Sequence, residues 1–129
     1  MLSTIAAIAF TALSTVVVVF QLALAFGAPL GDVTMGGRYR GALPRHIRVV
    51  PALSAVLITG FAAVVLARAG MAFVELQVLS TKLIWVVVAY CAVGSLANYI
   101  TPSKWERALW FPMVAVMLAC SLIVALQGK

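Results

Sequence analysis

The sequence predicts an all-α membrane protein, a single domain built as an antiparallel bundle of four transmembrane helices over residues 1–129. Three observations lead there. Hydrophobic residues make up 65% of the chain and charged residues 9%, against roughly 25% charged in a soluble domain. A soluble core of this size leaves too much surface in water to hide that apolar content. Four charge-free runs approach or exceed the length that crosses a hydrocarbon core, about 20 residues at about 1.5 Å of rise each. The nine Lys and Arg and the three Asp and Glu all fall outside those runs, as expected where a charge at mid-membrane costs about 2.5–3.5 kcal/mol.

The first helix covers residues 3–26. Ala23-Leu24-Ala25 resembles a signal-peptidase site, but no basic residue precedes the run and it is too long for a signal h-region, so it reads as a retained span. Ala7, Thr11 and Thr15 place small residues at four-residue spacing, a seam along which membrane helices approach closely. The run Gly27-Ala28-Pro29-Leu30-Gly31 ends the helix, because Gly tolerates a left-handed turn and Pro cannot continue it. Residues 27–48 form the loop that follows.

The second helix covers 49–67, between Arg48 and Arg68. Pro51 lies in its first turn, where proline is tolerated. Ala55, Thr59, Ala63 and Ala67 form a second small-residue stripe. Ala69-Gly70 then breaks the chain. The apolar stretch Met71 to Leu76 is expected either as a short interfacial turn or as a prolonged third helix, with Glu75 near Lys82. The third span covers 83–100, up to Thr101-Pro102, with Cys91 and Ser95 as its small residues.

The fourth helix runs over 104–127, charge-free from 108. Ser103 and Glu106 have the S-x-x-E spacing of a capping box, in which each group satisfies a backbone N–H at the helix start. Glu106 is alternatively placed to pair with Arg45 or Arg48. Pro112 is expected to kink the helix. Trp105 and Trp110 read as an interfacial aromatic belt or, with the kink, as the mouth of a pocket lined by Trp110 and Phe111. Cys91 and Cys120 fall inside spans, where free Cys acts as a small hydrophobe. Arg48 with Pro51 and Arg107 with Pro112 open both even-numbered helices, a weak internal echo.

Four spans put the loops after helices one and three on one side. That side holds Arg38, Arg40, Arg45, Arg48, Lys104 and Arg107, against Arg68, Lys82 and Lys129 opposite. The positive-inside bias places the 27–48 loop in the cytoplasm and both termini outside. Gly31, Gly36 and Gly37 offer backbone N–H groups of the kind that form anion-binding nests. With Arg38, Arg40, Arg45, His46, Arg48, Arg107 and Trp110 they define a candidate face for an anion, a lipid or another ligand. Anionic lipid headgroups of the bilayer suit it, at about 1 kcal/mol per cation. A specific anionic ligand, a lipid-linked substrate or a partner protein are the alternatives. Gln21 and Asn98 lie at similar depth within the spans, as interhelical glue or as a ligand-binding pair.

No enzyme chemistry is legible. His46 is the chain's one His and lies in a loop. The cysteines lack an adjacent base, and no His, Cys or carboxylate spacing suits a metal. Haem would need an axial ligand, and His46 and Met35 lie at loop level; no cofactor is expected. No basic run is long enough for nucleic acid. The expected function is therefore non-enzymatic: binding a lipid-like or anionic ligand, or serving as an accessory subunit beside a membrane partner or a second copy. An oligomeric small transporter or channel is the alternative, although such proteins usually carry an ionisable residue inside the membrane.

Five features together carry a resemblance: the G-x-P-x-G run at 27–31, the pair Gly36-Gly37, Leu43-Pro44 before basic residues, Asn98 near a helix end, and Ser103-x-x-Glu106 followed by Trp and Pro. The chain resembles small four-span integral membrane proteins of bacteria. The likeness covers nearly the whole chain and implies a four-helix bundle in the bacterial inner membrane, with no activity attached.

Overall fold

The computed structural model describes residues 2–31, 34, 37–39 and 41–127. Gly36, Arg40 and Lys129, which figure in the charge and glycine patterns, lie outside them. The described residues form four long helices: α1 (Leu2–Ala25), α2 (Val49–Arg68), α3 (Gln77–Ile100) and α4 (Lys104–Gln127). Each is long and apolar enough to cross a membrane. They close into a ring, each packed on its neighbour in sequence and α1 on α4, while α2 and α4 touch weakly across the diagonal. The predicted four-helix bundle is thus the observed one. Val56, Val78 and Val93 are among many large apolar side chains exposed on its outside. A surface of that kind belongs against lipid.

The two connections that leave α1 and α2 share one device. Gly27 and Gly70 have positive φ, +97° and +77°. The Gly27 and Ala28 amides donate to Leu24 and Ala23, and those of Gly70 and Met71 donate to Ala67 and Leu66. Both are Schellman caps, which satisfy the last carbonyls of a helix at a left-handed Gly. After Gly70 the chain turns through Phe73, left-handed at φ 53°, into a 3-10 turn over Val74–Leu76.

α3 starts at Gln77, six residues before the span expected from residue 83. Both expected forms appear, a short turn over Val74–Leu76 and a third helix prolonged back to Gln77. The expected span begins only after Lys82, and Ser80 and Thr81 lie in the stretch added before it. Their hydroxyls donate to Gln77 and Val78 carbonyls at 2.7 Å, so they are satisfied within the helix and do not end it. Thr11, Thr15 and Thr59 back-bond to the residue four before in the same way. α4 runs unbroken through Pro112.

The half of the bundle that carries the α2–α3 turn is solid. Phe10, Val65, Ile84, Val87 and Val124 are fully buried there, and Ala6, Ala7, Ala67 and Ala125 let the backbones approach. Cys91 and Cys120 are free thiols within this apolar cluster. At its outer edge Arg68 donates from Nη2 to the Ala125 carbonyl at 3.3 Å, placing a cation at the C-terminal end of α4 as the helix dipole favours.

Candidate functional site

The loop-side half is hollow. A cavity of about 190 Å³ starts at mid-bundle on Phe10, Ile58, Cys91 and Met117. It rises between walls that include Phe20, Phe61, Tyr90 and Trp110, and Gln21, Ser54, Asn98, Glu106 and Thr34 add polar groups to its lining. Gln21, Asn98 and Glu106 each lie within four residues of the loop-side end of their helix, about 6 Å or less by helical rise. The apolar floor and polar rim therefore follow the depth profile of a membrane leaflet.

The amides expected to meet as glue instead share this cavity, and among the described residues no hydrogen bond joins them. Asn98 donates from Nδ2 to the Gly94 carbonyl at 2.7 Å. A Cβ at Gly94 would stand 3.4 Å from Val114 Cγ1 of α4, an ordinary van der Waals contact.

The two tryptophans part company. Trp105 is 70% exposed, as a belt residue should be, and Trp110 is 8% exposed. Trp110 packs against Phe20 in a tilted pair with ring centroids 4.5 Å apart and walls the cavity. Phe111 does not: it pairs with Tyr99 at 5.2 Å. Of the expected pocket pair Trp110 and Phe111, only Trp110 lines the cavity.

The capping box has a third member. The Glu106 amide donates to Ser103 Oγ at 3.2 Å, the Ser103 amide donates to Thr101 Oγ1 at 3.3 Å, and the buried Thr101 hydroxyl donates to the Glu106 carboxylate. The Glu106 side chain thus joins the helix cap to the cavity lining. Arg107 donates from Nη2 to the Thr101 carbonyl at 2.8 Å.

Arg48 makes the matching tie at the start of α2, donating from Nε to the Leu43 carbonyl at 2.9 Å. Its guanidinium lies over Gly27, about 3.1 Å from where a Cβ would stand. The weak echo between the even helices is therefore structural: each has an Arg that reaches back to the preceding loop. Arg38, Arg45 and His46 are exposed, and Arg38 sits 5.6 Å from the Tyr39 ring centre.

Two of the three glycine amides singled out for anions, those of Gly31 and Gly37, are engaged inside the loop. Gly31 donates to the Gly41 carbonyl at 2.8 Å and Gly37 to the Thr34 carbonyl at 2.9 Å. A Cβ on Gly31 would fall 1.7 Å from the Tyr39 carbonyl oxygen, so this position requires Gly to let two chain segments cross. Leu43, 1% exposed, anchors the loop from below.

Of the candidate face, Arg38, Arg45 and His46 thus form an exposed rim, while Trp110 lines the interior cavity together with the separate amide pair Gln21 and Asn98. Sequence reasoning missed Phe20, Phe61, Tyr90 and Ser54, because an aromatic or small residue in a wholly apolar helix gives no contrast between core, lipid and cavity. Among the described residues no group of His, Cys, Asp or Glu is arranged to hold a metal. The chain matches no protein-family model, no curated protein and no solved structure. What the arrangement offers is contact surface for apolar and aromatic groups, with hydrogen-bonding groups at one end to orient a guest.

Proposed function

We propose that this is a non-enzymatic membrane protein that binds a lipid-like molecule in its loop-side cavity, acting as a binding protein or as an accessory subunit of a membrane complex. The observation that carries the reading is the gradient inside the cavity, aromatic and aliphatic at mid-bundle and polar at the rim. An apolar cavity of about 150 Å³ accepts benzene. A cavity of about 190 Å³ accordingly suits a ring-sized group or a short alkyl segment.

The excess of Arg and Lys on the side of the 27–48 loop supports a cytoplasmic loop with both termini outside. The resemblance to small four-span proteins supports a bacterial inner membrane. Exposed Arg38 and Arg45 would then meet anionic headgroups, at about 1 kcal/mol each. An oligomeric transporter or channel is the weaker reading. The solid half of the bundle closes the cavity below, so a pathway would have to run between copies.

Native mass spectrometry from mild detergent tests the proposal. The wild-type chain should retain a discrete small amphiphile, and the double variant Gln21→Leu/Asn98→Leu should lose it. A bare protein in both preparations would defeat the reading. A guest held equally by both would place binding outside the cavity.

A further inference from the structure

A second hollow lies on the lipid-facing side of the bundle, between α2 and α3. It is an apolar groove of about 320 Å³, walled by Val56, Leu57 and Val64 of α2 and by Leu83 and Val86 of α3. Gly60 leaves part of its wall without a side chain, and a Cβ there would meet nothing within 4 Å. Phe61 lines both this groove and the interior cavity. This ring, set edge-on to Tyr90 at 5.0 Å, therefore borders both the interior cavity and the lipid-facing groove. Of the four neighbouring helix pairs, α2 and α3 make the sparsest contact.

We infer that cavity and groove form one bipartite site for a single-chain amphiphile, with its head in the cavity and its tail passing Phe61 into the groove. The inference rests on the ligand-binding reading above and adds the class of ligand and the path of its tail. Three arguments carry it. The cavity is too small for head and tail together, and its floor abuts the solid core, so a tail must leave sideways. The α2–α3 seam is where the packing is weakest and where one side chain borders both hollows. The depths also run in the right order. Measured from the loop-side helix ends, the rim residues lie within about 6 Å, Phe61 at about 18 Å, and the groove spans about 10–25 Å. An amphiphile would thus sit as it does in a leaflet, head at the interface and tail toward the far side, with no need to turn over.

The groove supplies specificity through shape. A tail leaving lipid for the groove gains packing contacts and no hydrophobic transfer, because lipid is as apolar as the groove wall. Gly60 matters because it gives the chain room.

Photo-cross-linking in lipid nanodiscs tests this directly, with a medium-chain monoacylglycerol that bears a diazirine near the end of its tail. Labels on the intact protein should concentrate on Leu57, Val64 and Val86. Gly60→Leu puts a side chain into the groove from a position where a Cβ has open space and should lower that labelling by about tenfold, whereas Val93→Leu, elsewhere on the exposed surface, should not. Short-tailed monoacylglycerol should still bind the Gly60→Leu protein. Labels spread evenly around the outer surface would overturn the inference. If, in addition, the Gln21→Leu/Asn98→Leu variant lost its retained guest, the ligand-binding reading would stand without it. If that variant lost nothing either, both would fall. A Gly60→Leu protein that changed its oligomeric mass, with tail labelling unaltered, would assign the groove to a second copy and also overturn the inference.

Discussion

The two halves of the bundle are built from the same four helices and behave as different materials. Around Val65, Ile84, Val87 and Val124 the side chains are fully buried, and alanines bring the backbones together. Around Gly94, Ser54 and Asn98 the same helices enclose about 190 Å³ of space. Hydrophobicity does not separate them, since every helix is apolar along most of its length. Volume and hydrogen-bonding do. Where small residues face small residues the helices close, and where Trp110 and Phe20 meet as a tilted pair at 4.5 Å they wall a space above a floor of larger side chains. The solid half maintains the bundle, so the hollow half can tolerate polar groups and empty volume.

Breaking the solid half should have the largest effect. Ile84→Ala opens a void among fully buried neighbours and should cost about 2–5 kcal/mol, read as a lower thermal midpoint in detergent. Val114→Ala, which only enlarges an existing cavity, should cost less than about 1 kcal/mol. Equal losses at both sites would erase the distinction drawn here. Gly31→Ala comes next. It drives a Cβ into the Tyr39 carbonyl at the crossing over the hollow end and should cost about 1–3 kcal/mol as overpacking. Limited proteolysis should show the 27–48 loop cut faster, with the helices still intact.

Thr101→Val removes the hydroxyl that serves both Ser103 and Glu106 and should destabilise by about 1 kcal/mol. Its sharper readout is at the cavity rim: if Glu106 is held there by Thr101, retention of the small amphiphile should fall as well. Unchanged retention would confine the Thr101 cluster to capping. The smallest effect is expected at Ser14, whose buried hydroxyl has no hydrogen-bond partner among the described residues. Ser14→Ala should leave stability unchanged or raise it by up to about 1 kcal/mol, because it removes an unmet polar group.

Much of the framework was readable from residues alone. Gly27 and Gly70 marked two helix ends because a left-handed cap needs Gly, and Ser103-x-x-Glu106 marked the start of α4. Other features misled for definite reasons. Lys82 set the expected start of the third span, but α3 begins earlier, at Gln77, with the Ser80 and Thr81 hydroxyls satisfied inside it. Arg48 and Arg107, named for the ligand face, each also donate one hydrogen bond to a carbonyl of the preceding connection, which the sequence did not show. Gln21 and Asn98 were placed at the right depth, but depth does not say whether two amides face each other or a shared space.

The four spans, their order and the one-sided gathering of Arg followed from sequence by itself, because crossing a bilayer imposes a length and a ban on charge that a single helix reveals. Which Trp was buried, which glycine carried a chain crossing, and that Phe61 lines both an interior cavity and a lipid-facing groove were decided by tertiary structure. In an almost wholly apolar chain every face of a helix reads alike, and only the packing of one helix against another determines which faces meet protein, lipid or empty space.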